Sequence, residues 1–541
     1  MIANAKSTYI KDEIESNLNN PRKLWKTLKR VAPTKPASSM PSFIQVDGHQ
    51  ISDPTAIANA FNEYFIESQT STTPISCIDE NGQDLIKQRL QNFVNDRIDE
   101  STQFLIPEIS RNQVEQDFAK LASNKATGID AIGIKVLKMA LPAIVPSLTH
   151  IYNASITTGI FPVKFKQAKL CPIYKKESVH ERNNYRPISV LPIISKPLER
   201  HVATSYLEYL NSHGLLYRHQ SAYRPYHSCE TALLNLTDNW LNAMDKSNLG
   251  SILGPVLFSL YMNDLPLNIP EANVDVYADD TTLWKSNGDC IKIQNDLQSS
   301  LDCANVWFKQ NHMKPNITKT KHLLIGTHQK LRHANISSLE LNLNGVPIEE
   351  VKDEKLLGVK LDKYLSWNDQ VNCLMKKLNS RFFLLKRAKG YLSISGRKML
   401  YNALIKSTLE YCCTVWGNCS NEQLLRLLGL QKRCARLILD ANPSDNSVAL
   451  FNTLKWIPID DTIRVHKLCM MYKIINKMCP QYFDNYVSYV KNWHEYCTRA
   501  SSNMKLVVPK CHTRSGLRCF HASAVRLWNK LNVDSMNISG L

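Results

Sequence analysis

Apolar residues recur along the chain at two different spacings, which predict helices in some segments and strands in others. Residues 295–308, 372–387 and 423–439 carry apolar residues every three or four positions. That spacing places the apolar side chains on one face of a helix. The opposite face of the last two segments is rich in lysine and arginine. A solvated surface is the simplest interpretation of each face, but two such faces together also favour contact with a nucleic acid.

Capping residues predict two further helices in the first part of the chain. Residues 53–54 (Asp-Pro) precede A-I-A-N-A-F-N-E-Y-F-I, and they fit an N-cap and a first helical residue before an amphipathic run. Ser110 predicts the N-cap of another helix, with Val114, Phe118 and Leu121 on its apolar face.

Strict alternation of apolar and polar residues flanks an acidic pair in V-D-V-Y-A-D-D-T-T-L-W, residues 274–284. The two alternating runs predict the strands of a β-hairpin with Ala278, Asp279 and Asp280 at its turn. A hairpin would present both carboxylates from a rigid scaffold.

Three other segments have a definite local prediction. Residues 169–176 (K-L-C-P-I-Y-K-K) are β-prone, and residues 315–325 (P-N-I-T-K-T-K-H-L-L-I) predict a turn that leads into a strand. Residues 251–265 (S-I-L-G-P-V-L-F-S-L-Y-M-N-D-L) predict a glycine-containing turn followed by a strongly apolar helix.

Composition narrows the class of protein. A chain of 541 residues with 43% hydrophobic residues is expected to form two to four packed units, and its net charge of +18 suits a polyanionic partner. The alternatives are an anionic membrane surface and a basic protein without such a partner. We expect no membrane association, because no apolar run approaches the length of a bilayer span and core residues interrupt the basic helices. No signal-peptide core is visible near Met1, so the expected location is nuclear or cytoplasmic and not secreted. The fifteen cysteines include no C-x-x-C spacing, which argues against a zinc ribbon or a thioredoxin-type site.

The chemistry of the acidic pair follows from its charge. Two carboxylates about 4 Å apart repel by roughly 4 kcal/mol at an effective dielectric constant of 20. Either one takes up a proton or a divalent cation binds both. Carboxylate oxygens favour Mg²⁺ or Mn²⁺, and a pair of such ions catalyses in-line phosphoryl transfer. The simpler alternative is a solvated Asp-Asp turn, and a metal-dependent hydrolase is disfavoured because histidine and glutamate ligands are absent nearby.

The segments around the acidic pair, taken in order, resemble the reverse transcriptases of non-LTR (LINE-type), jockey-like retrotransposons. Y-A-D-D, preceded by G-S-I-L-G-P-V-L-F and followed by K-T-K, resembles the palm of that family. The other blocks cover nearly the whole chain: K-A-T-G-I-D (125–130), A-K-L-C-P-I-Y-K-K (168–176), N-Y-R-P-I-S-V-L-P-I-I-S-K-P-L-E-R (184–200), H-Q-S-A-Y-R-P-Y-H-S-C-E-T-A-L (219–233), K-L-L-G-V-K-L-D-K-Y-L-S-W (355–367), L-E-Y-C-C-T-V-W-G (409–417), L-Q-K-R-C-A-R-L-I (430–438) and L-W-N-K-L (527–531).

The resemblance implies an α+β fold of the right-hand polymerase type, with fingers, a palm that contains an antiparallel sheet, and a helical thumb. The implied activity is RNA-directed DNA synthesis by two-metal nucleotidyl transfer. The implied partners are an RNA template, a DNA primer and deoxynucleoside triphosphates, and the implied cofactor is Mg²⁺ or Mn²⁺. Asp279 would be a catalytic metal ligand, with Asp280 as its supporting neighbour in the same metal site.

The resemblance also assigns residues that meet the nucleotide. Arg186, and with less support Lys175, would contact the incoming triphosphate, because a guanidinium fork suits phosphate oxygens. Gly250 and Ser251 would lie at the turn that orders the template and the nucleotide. Lys319 would be catalytic, near the leaving pyrophosphate, as an acid or a charge clamp. The alternative for Arg186 and Lys319 is an ordinary surface side chain.

The same resemblance predicts a division of the chain into five regions. They are an N-terminal region with a basic helix, a linker and further helices (1–105), a fingers region (106–248), a palm remnant with the Y-A-D-D hairpin (249–362), a helical thumb (363–440) and a C-terminal extension (441–541).

One element of the family pattern is missing. The family carries a further metal-binding aspartate in a strand written roughly F-x-D-x-x-K-A-F-D, but here T-A-L-L-N-L-T-D-N-W-L-N-A-M-D-K-S-N-L-G-S-I-L-G-P runs from a helical pattern directly into the later block. Asp238 and Asp245 fall in that helical pattern, and Leu249 stands where the family has glutamine. We therefore expect an N-terminally truncated and internally deleted copy with a join at 247–249, an incomplete palm whose neighbouring strands are unpaired or re-paired, and weak or no polymerase activity. The alternative function is a noncatalytic RNA- or DNA-binding remnant.

Overall fold

The chain is described by a computed structural model that covers residues 2–17, 20, 23, 27, 41–70, 80–99, 101–123, 126–175, 177–245, 249–253, 262–278, 280–311, 313, 315–333, 339–492 and 505–531. It forms two compact units. The smaller unit is Lys35–Leu216, and the larger unit consists of Met1–Thr34 and Tyr217–Leu541.

The secondary structure mixes many helices with short strands, which confirms the α+β class. The α-helices are, in chain order, α1 (Ile2–Ser16), α2 (Pro54–Thr70), α3 (Glu80–Asn95), α4 (Arg111–Lys120), α5 (Ile134–Thr158), α6 (Val163–Lys166), α7 (Lys196–Ser212), α8 (Cys229–Asp245), α9 (Cys290–Gln310), α10 (His328–His333), α11 (Asn368–Ala388), α12 (Ile394–Tyr401), α13 (Ser407–Glu410), α14 (Cys413–Trp416), α15 (Asn421–Leu439), α16 (Ser447–Leu454), α17 (Ile459–Ile475), α18 (Arg514–Leu517) and α19 (Phe520–Trp528). The strands are β1 (Ile44–Val46), β2 (His49–Ile51), β3 (Lys169–Tyr174), β4 (Tyr185–Val190), β5 (Leu249–Leu253), β6 (Asn273–Tyr277), β7 (Asp280–Asn287), β8 (Lys321–Ile325), β9 (Asn342–Leu343), β10 (Val346–Pro347), β11 (Glu349–Glu350), β12 (Asp353–Leu356) and β13 (Val359–Asp362).

The predicted helix caps of the smaller unit are confirmed. Asp53 accepts a hydrogen bond from the Ala56 amide at 2.8 Å, at the start of α2. Ser110 accepts one from the Gln113 amide at 3.2 Å, at the start of α4. The predicted apolar face of α4 is buried: Val114, Phe118 and Leu121.

In the smaller unit β3 pairs antiparallel with β4, so that Ile173 lies opposite Arg186 and Tyr174 opposite Tyr185. The loop that contains Gly128 packs against the residues that follow β4. A Cβ atom on Gly128 would lie 2.7 Å from the Pro192 nitrogen, which is too close for any other residue without a backbone shift. This contact gives a physical reason for the glycine of K-A-T-G-I-D.

One described helix, α5, has the length and composition of a membrane span, although we expected no apolar run of that length in the sequence. In the structure Leu148 and Tyr152 of α5 belong to the hydrophobic core of the smaller unit, together with Phe118 of α4. A core helix has the same composition, so α5 is weak support for a membrane role.

The larger unit is built around a five-stranded sheet with the order β11-β8-β5-β7-β6. Only β11 and β8 are parallel among these pairs; the other neighbours are antiparallel. Helix α8 lies on one face, where Leu233 and Trp240 share a core with Leu323 and Ile325 of β8. Helix α9 packs against β7 on the other face.

The hairpin of β12 and β13 and the helices from α11 to α19 extend the core that α8 begins. Buried members of this core include Leu361, Trp367, Leu378, Trp416, Leu430, Ile463, Met471, Phe520 and Val525. The three helices predicted from apolar spacing are confirmed, since residues 295–308 lie in α9, residues 372–387 in α11 and residues 423–439 in α15. The turn and strand predicted for residues 315–325 are also confirmed, as a 3₁₀ helix (Ile317–Lys319) followed by β8.

Two local predictions are wrong. The glycine-containing turn expected at the start of residues 251–265 is a strand, β5, because β7 and β8 both pair with it, and residues 254–261 lie outside the described residues. Asp280, predicted within the hairpin turn, is the first residue of β7, since it pairs with Tyr277.

Candidate active site

The hairpin that carries the acidic pair is formed by β6 and β7. Tyr277 pairs with Asp280, and the loop between them contains only Ala278 and residue 279. Ala278 has a φ of +53°, in the left-handed region that tight hairpin turns require. The predicted catalytic residue Asp279 lies outside the described residues. The hairpin itself is confirmed.

Asp275 lies on the same face of the hairpin as Asp280, because residues that pair across strands point to one side. Its carboxylate is engaged by two donors and has a histidine ring nearby. It accepts hydrogen bonds from Trp284 Nε1 at 2.7 Å and from Asn235 Nδ2 at 2.8 Å, and His219 Nδ1 lies 3.4 Å away. Asp275 therefore connects the hairpin to α8.

The structure brings together two of the predicted catalytic residues. Asp280 and Lys319 line one cavity of about 80 Å³. Lys319 ends a 3₁₀ helix (Ile317–Lys319) that Asn316 caps by accepting a hydrogen bond from the Lys319 amide at 3.1 Å. Lys319 thus lies in the same cavity as the acidic hairpin, and its predicted role near the leaving pyrophosphate stays a prediction.

The charges around this cavity are of both signs, and Lys321 among them is paired with Glu349. Three lysines, Lys319, Lys321 and Lys355, line it together with the carboxylates of Asp280 and Glu354. Burial lowers the pKa of His322 in the same cavity, and the nearby carboxylate of Glu350 partly opposes that effect. Ammonium groups attract the carboxylates and repel a divalent cation.

The described residues do not fit a divalent metal ion. No group of three or more His, Cys, Asp or Glu side chains within the described ranges is arranged to hold one. Asp275 accepts hydrogen bonds from Asn235 and Trp284, and Asp280 lines a cavity that also contains lysines. The predicted ligand Asp279 lies outside the described residues, so this statement does not include it.

The strand β5 occupies the middle of the sheet. Gly250 pairs with Ser286 of β7 on one side and with Ile325 of β8 on the other, and Ser251 pairs with Lys285 and Leu324. Both residues are thus in an extended strand and not at the predicted turn. Their predicted contact with template and nucleotide, which depended on that turn, stays untested.

Asp238 and Asp245, the two acidic residues of α8 considered for the missing position, bind the C-terminal segment instead. Asp238 accepts hydrogen bonds from the amides of Phe520 and His521 at 2.6 and 2.8 Å and from the Tyr486 hydroxyl at 3.2 Å. Asp238 lies in α8, which confirms the predicted helical position, and these contacts explain its burial without a metal.

Asp245 accepts hydrogen bonds from the His512 amide at 3.0 Å and from the Thr513 amide and hydroxyl at 2.7 Å each. It therefore fixes the residues that precede α18. Asp238 and Asp245 therefore both bind the C-terminal part of the chain and not the hairpin.

Lys175 and Arg186, the predicted triphosphate ligands, belong to the smaller unit. The Lys175 amide donates to the Asn184 carbonyl at 2.8 Å, which continues the β3–β4 ladder by one residue. Lys175 and Arg186 therefore lie on one face of the ladder, and both side chains are exposed. The two cations are adjacent, as a phosphate contact would require, but that contact stays a prediction.

Sequence reasoning missed the residues that hold the hairpin in place. The alternation in V-D-V-Y already put Asp275 on the face of Tyr277, and this signal was available. Asn235, His219 and Trp284 reach Asp275 only through the fold, because the first two are more than 35 residues away. Burial raises the pKa of Tyr277 beside them to about 12, so its hydroxyl stays protonated at neutral pH.

Comparison with known proteins supports the family resemblance of the sequence blocks. Residues 246–361 match the profile of the family described as Reverse transcriptase (RNA-dependent DNA polymerase). A Drosophila melanogaster protein named "Probable RNA-directed DNA polymerase from transposon BS" is 24% identical, over 67% of this chain and 48% of the relative. The corresponding protein from transposon X-element is 22% identical, over 65% of this chain and 46% of the relative.

The RNA-directed DNA polymerase from the Drosophila melanogaster mobile element jockey is 21% identical, over 62% of this chain and 44% of the relative. The chain spans about half the length of the curated relatives that it matches. Residues 246–361 therefore match the reverse transcriptase family, and about 65% of the chain is similar in sequence to RNA-directed DNA polymerases of Drosophila mobile elements.

Proposed function

We propose that this chain is a reverse transcriptase-like protein of retrotransposon type that binds nucleic acid but synthesises DNA weakly or not at all. The observation that carries the proposal is the central position of β5 between β7 and β8. The family pattern places a metal-binding aspartate on a strand that faces the Y-A-D-D hairpin. Here the described strand beside the hairpin is L-G-S-I-L, which has no carboxylate.

The boundary of the family match supports this proposal. The match begins at residue 246, directly after α8 ends at Asp245. The blocks that resemble the fingers end in that same helix. We infer that a segment with the missing strand has been lost between residues 245 and 249, and that β5 has taken the central place in the sheet.

The fine mechanism is part of the proposal. Asp279 and Asp280 would be what is left of the site for Mg²⁺ or Mn²⁺, and a two-metal site lacks a bridging ligand without the facing aspartate. Lys319 would lie near the leaving pyrophosphate, and Arg186 and Lys175 would bind the triphosphate. Lys319, Arg186 and Lys175 would hold phosphates by their positive charge, and that interaction does not require the missing strand.

Exposed cations support the nucleic-acid-binding part. Lys376, Lys377, Lys386 and Arg387 are exposed on α11. None of the four forms an ion pair among the residues that the structure describes. Unpaired lysines and arginines along one helix give a surface that binds phosphates, and such binding weakens steeply with salt. The partners we propose are the RNA template and the DNA primer.

The polymerase part is tested by primer extension with the purified full chain. The substrate is a homopolymeric RNA template with an annealed DNA primer, with Mg²⁺ or Mn²⁺ in parallel. We expect no more extension than from the Asp279→Ala variant. Robust extension that Asp279→Ala abolishes would overturn the proposed loss of activity.

The binding part is tested by fluorescence anisotropy on labelled single-stranded RNA. We expect the logarithm of the binding constant to fall linearly with the logarithm of the salt concentration, with the same slope for Asp279→Ala. The double variant Lys376→Gln/Lys377→Gln should reduce the slope by about 1.4, as expected for two lost phosphate contacts on a single strand.

The matched control removes two charges that are already paired. Lys360 pairs with Asp353 at 2.7 Å, and Lys389 pairs with Asp440. Lys360→Gln/Lys389→Gln should leave the slope unchanged. Equal slopes for the two double variants would reject α11 as the contact surface, and a lack of RNA binding at low salt would reject the binding function.

A further inference from the structure

A cavity of about 500 Å³ lies in the larger unit, beside the start of α10, the loop before α11 and the short helix α18. It contains no residue of the acidic hairpin. Its lining is rich in hydrogen-bonding side chains, among them His328, Tyr364, Asn418, Arg514, Ser515 and Arg518. None of the described residues that line it is acidic, so the cavity favours an anionic ligand.

The two arginines are the cationic groups of this cavity. They are four residues apart in helical backbone and therefore lie on the same side of α18. Arg514 is exposed, and Arg518 is half-buried. Arg518 Nε is buried and has no hydrogen-bond partner, while Nη2 lies 3.5 Å from Ser515 Oγ. A buried guanidinium nitrogen without a partner is costly unless a ligand accepts from it.

The nearest carboxylate does not satisfy Arg518. Asp362 acts on Arg518 through its charge, but burial is the larger effect and lowers the pKa of the guanidinium. The oxygens of Asp362 are taken by its own loop, where they accept hydrogen bonds from the amides of Tyr364, Ser366 and Trp367 at 3.0 Å each. Arg518 thus lines the cavity without a carboxylate partner for its guanidinium among the described residues, and a small movement of its side chain would turn Nε toward a ligand.

Asp245 of α8 fixes the position of the two arginines. Asp245 binds the amides of His512 and Thr513, and the Thr513 hydroxyl accepts a hydrogen bond from the Gly516 amide at 3.1 Å. A Cβ atom on Gly516 would lie 2.4 Å from Asp245 Oδ1. Glycine is therefore required for this close approach, which places both arginines at the cavity.

An aromatic surface completes the lining. His328 and Tyr364 stack with ring centroids 3.6 Å apart and an angle of 19° between the rings. Stacked rings next to guanidinium groups are the combination that proteins use to bind a nucleobase and its phosphate. The volume is also within the roughly 300–1,000 Å³ of small-molecule sites.

We propose that this cavity binds the phosphate of a nucleotide, with Arg514 and Arg518 on the phosphate and the His328–Tyr364 pair against the base. The ligand is either a free mononucleotide or the phosphorylated end of a nucleic-acid strand. The site uses none of the proposed polymerase residues, so its test is independent of DNA synthesis.

Isothermal titration of the full chain with adenosine monophosphate, adenosine and inorganic phosphate tests the site. We expect the monophosphate to bind at least tenfold more tightly than adenosine, because charge-assisted hydrogen bonds to the phosphate are lost with the nucleoside. Inorganic phosphate should also bind more weakly than the monophosphate. Equal affinity for adenosine and its monophosphate would reject the phosphate contact, and equal affinity for phosphate and the monophosphate would reject the base contact.

Variants locate the site. Arg518→Gln and Arg514→Gln should each lower the affinity for adenosine monophosphate about tenfold and leave adenosine binding unchanged. Arg514 is exposed, so Arg514→Gln keeps the test valid if Arg518→Gln fails to fold. The matched control is Arg111→Gln, which removes an exposed charge from the smaller unit. If both arginine variants bind as the control does, the cavity is not the site.

A short 5′-phosphorylated oligoadenylate distinguishes the two sources of the phosphate. Tighter binding than the mononucleotide, still dependent on Arg514 and Arg518, would identify a strand end. Equal or weaker binding would identify the free nucleotide. Binding of the oligoadenylate that neither variant affects would count against the proposal.

Discussion

Replacing Asp238 with alanine is expected to loosen the C-terminal segment from α8. The carboxylate accepts hydrogen bonds from the amides of Phe520 and His521, at the start of α19, and from the Tyr486 hydroxyl. It is 1% exposed, so water does not replace it easily. Alanine would leave all three donors without this acceptor in a buried position.

The magnitude follows from two opposing effects. Each buried donor that loses its acceptor costs about 1–3 kcal/mol. Against this loss, burial raises the pKa of Asp238 from 3.8 to about 6 despite the hydrogen bonds, which corresponds to about 3 kcal/mol of unfavourable burial at neutral pH. With three donors, we therefore expect Asp238→Ala to lower the free energy of opening at neutral pH by about 3 kcal/mol, the middle of a range of about 0–6 kcal/mol.

The sign of the pH dependence adds a second readout. Because the pKa of Asp238 is higher in the folded state, its contribution to stability is fully present below pH 3.8 and is lost as the pH rises through about 6. The stability difference between the native chain and Asp238→Ala should therefore be larger near pH 4.5 than at pH 7. Burial lowers the pKa of His521 to about 4, with the opposite slope, but both proteins retain His521 and its effect cancels in the difference.

Hydrogen exchange of the segment 505–531, followed by mass spectrometry in urea, measures this opening directly. The control is Asp302→Ala, which removes an exposed carboxylate from α9. Exchange in Asp238→Ala that matches the control would refute the reasoning. So would a native-like segment combined with a loss of Mg²⁺ binding, because that result would make Asp238 the missing metal ligand.

Three further substitutions test other contacts. Gly516→Ala should destabilise the larger unit by about 1–3 kcal/mol in urea unfolding, because its Cβ would lie 2.4 Å from Asp245 Oδ1. Gly429 has open space around it, so Gly429→Ala should stabilise its helix or leave the stability unchanged. Gly358→Ala should cost about 1–3 kcal/mol in the same assay, because φ is +88° and the Cβ would lie 3.1 Å from the Tyr411 ring. Trp284→Phe removes the 2.7 Å hydrogen bond to Asp275, so hydrogen exchange in the 273–287 hairpin should become faster by about 1 kcal/mol of lost protection; unchanged exchange would reject Asp275 as its anchor.

Local patterns were sufficient for the parts of the fold that local interactions determine. The alternation around the acidic pair predicted the β6–β7 hairpin. Successive side chains of a strand point to opposite faces, so a strand with one buried face alternates apolar and polar residues. Ser110 predicted the start of α4, because its hydroxyl caps an amide only three residues away. Apolar spacing predicted α9, α11 and α15 for the same reason.

The sequence did not reveal contacts that join distant segments. β5 is a strand because β7 and β8 pair with it, and its own residues L-G-S-I-L predicted a turn. Asp238 and Asp245 bind residues more than 240 positions away, so no window around α8 contains their partners. The cavity beside Arg518 is equally hidden, since its lining comes from five separate parts of the chain.

The position of β5 explains how the sheet can be complete while the strand beside the hairpin has no carboxylate for a metal ion. β7 and β8 need a neighbour for their backbone N–H and C=O groups, and almost any five residues meet that need because the hydrogen bonds come from the main chain. L-G-S-I-L does so on both sides. A metal site, in contrast, needs a carboxylate at one position, which no backbone supplies. If a strand was lost here, as we propose, β5 can restore the sheet and the packing on α8 and α9 without restoring the aspartate. The surface that we propose for nucleic acid is on α11, outside that sheet, so RNA binding is the function expected to outlast DNA synthesis.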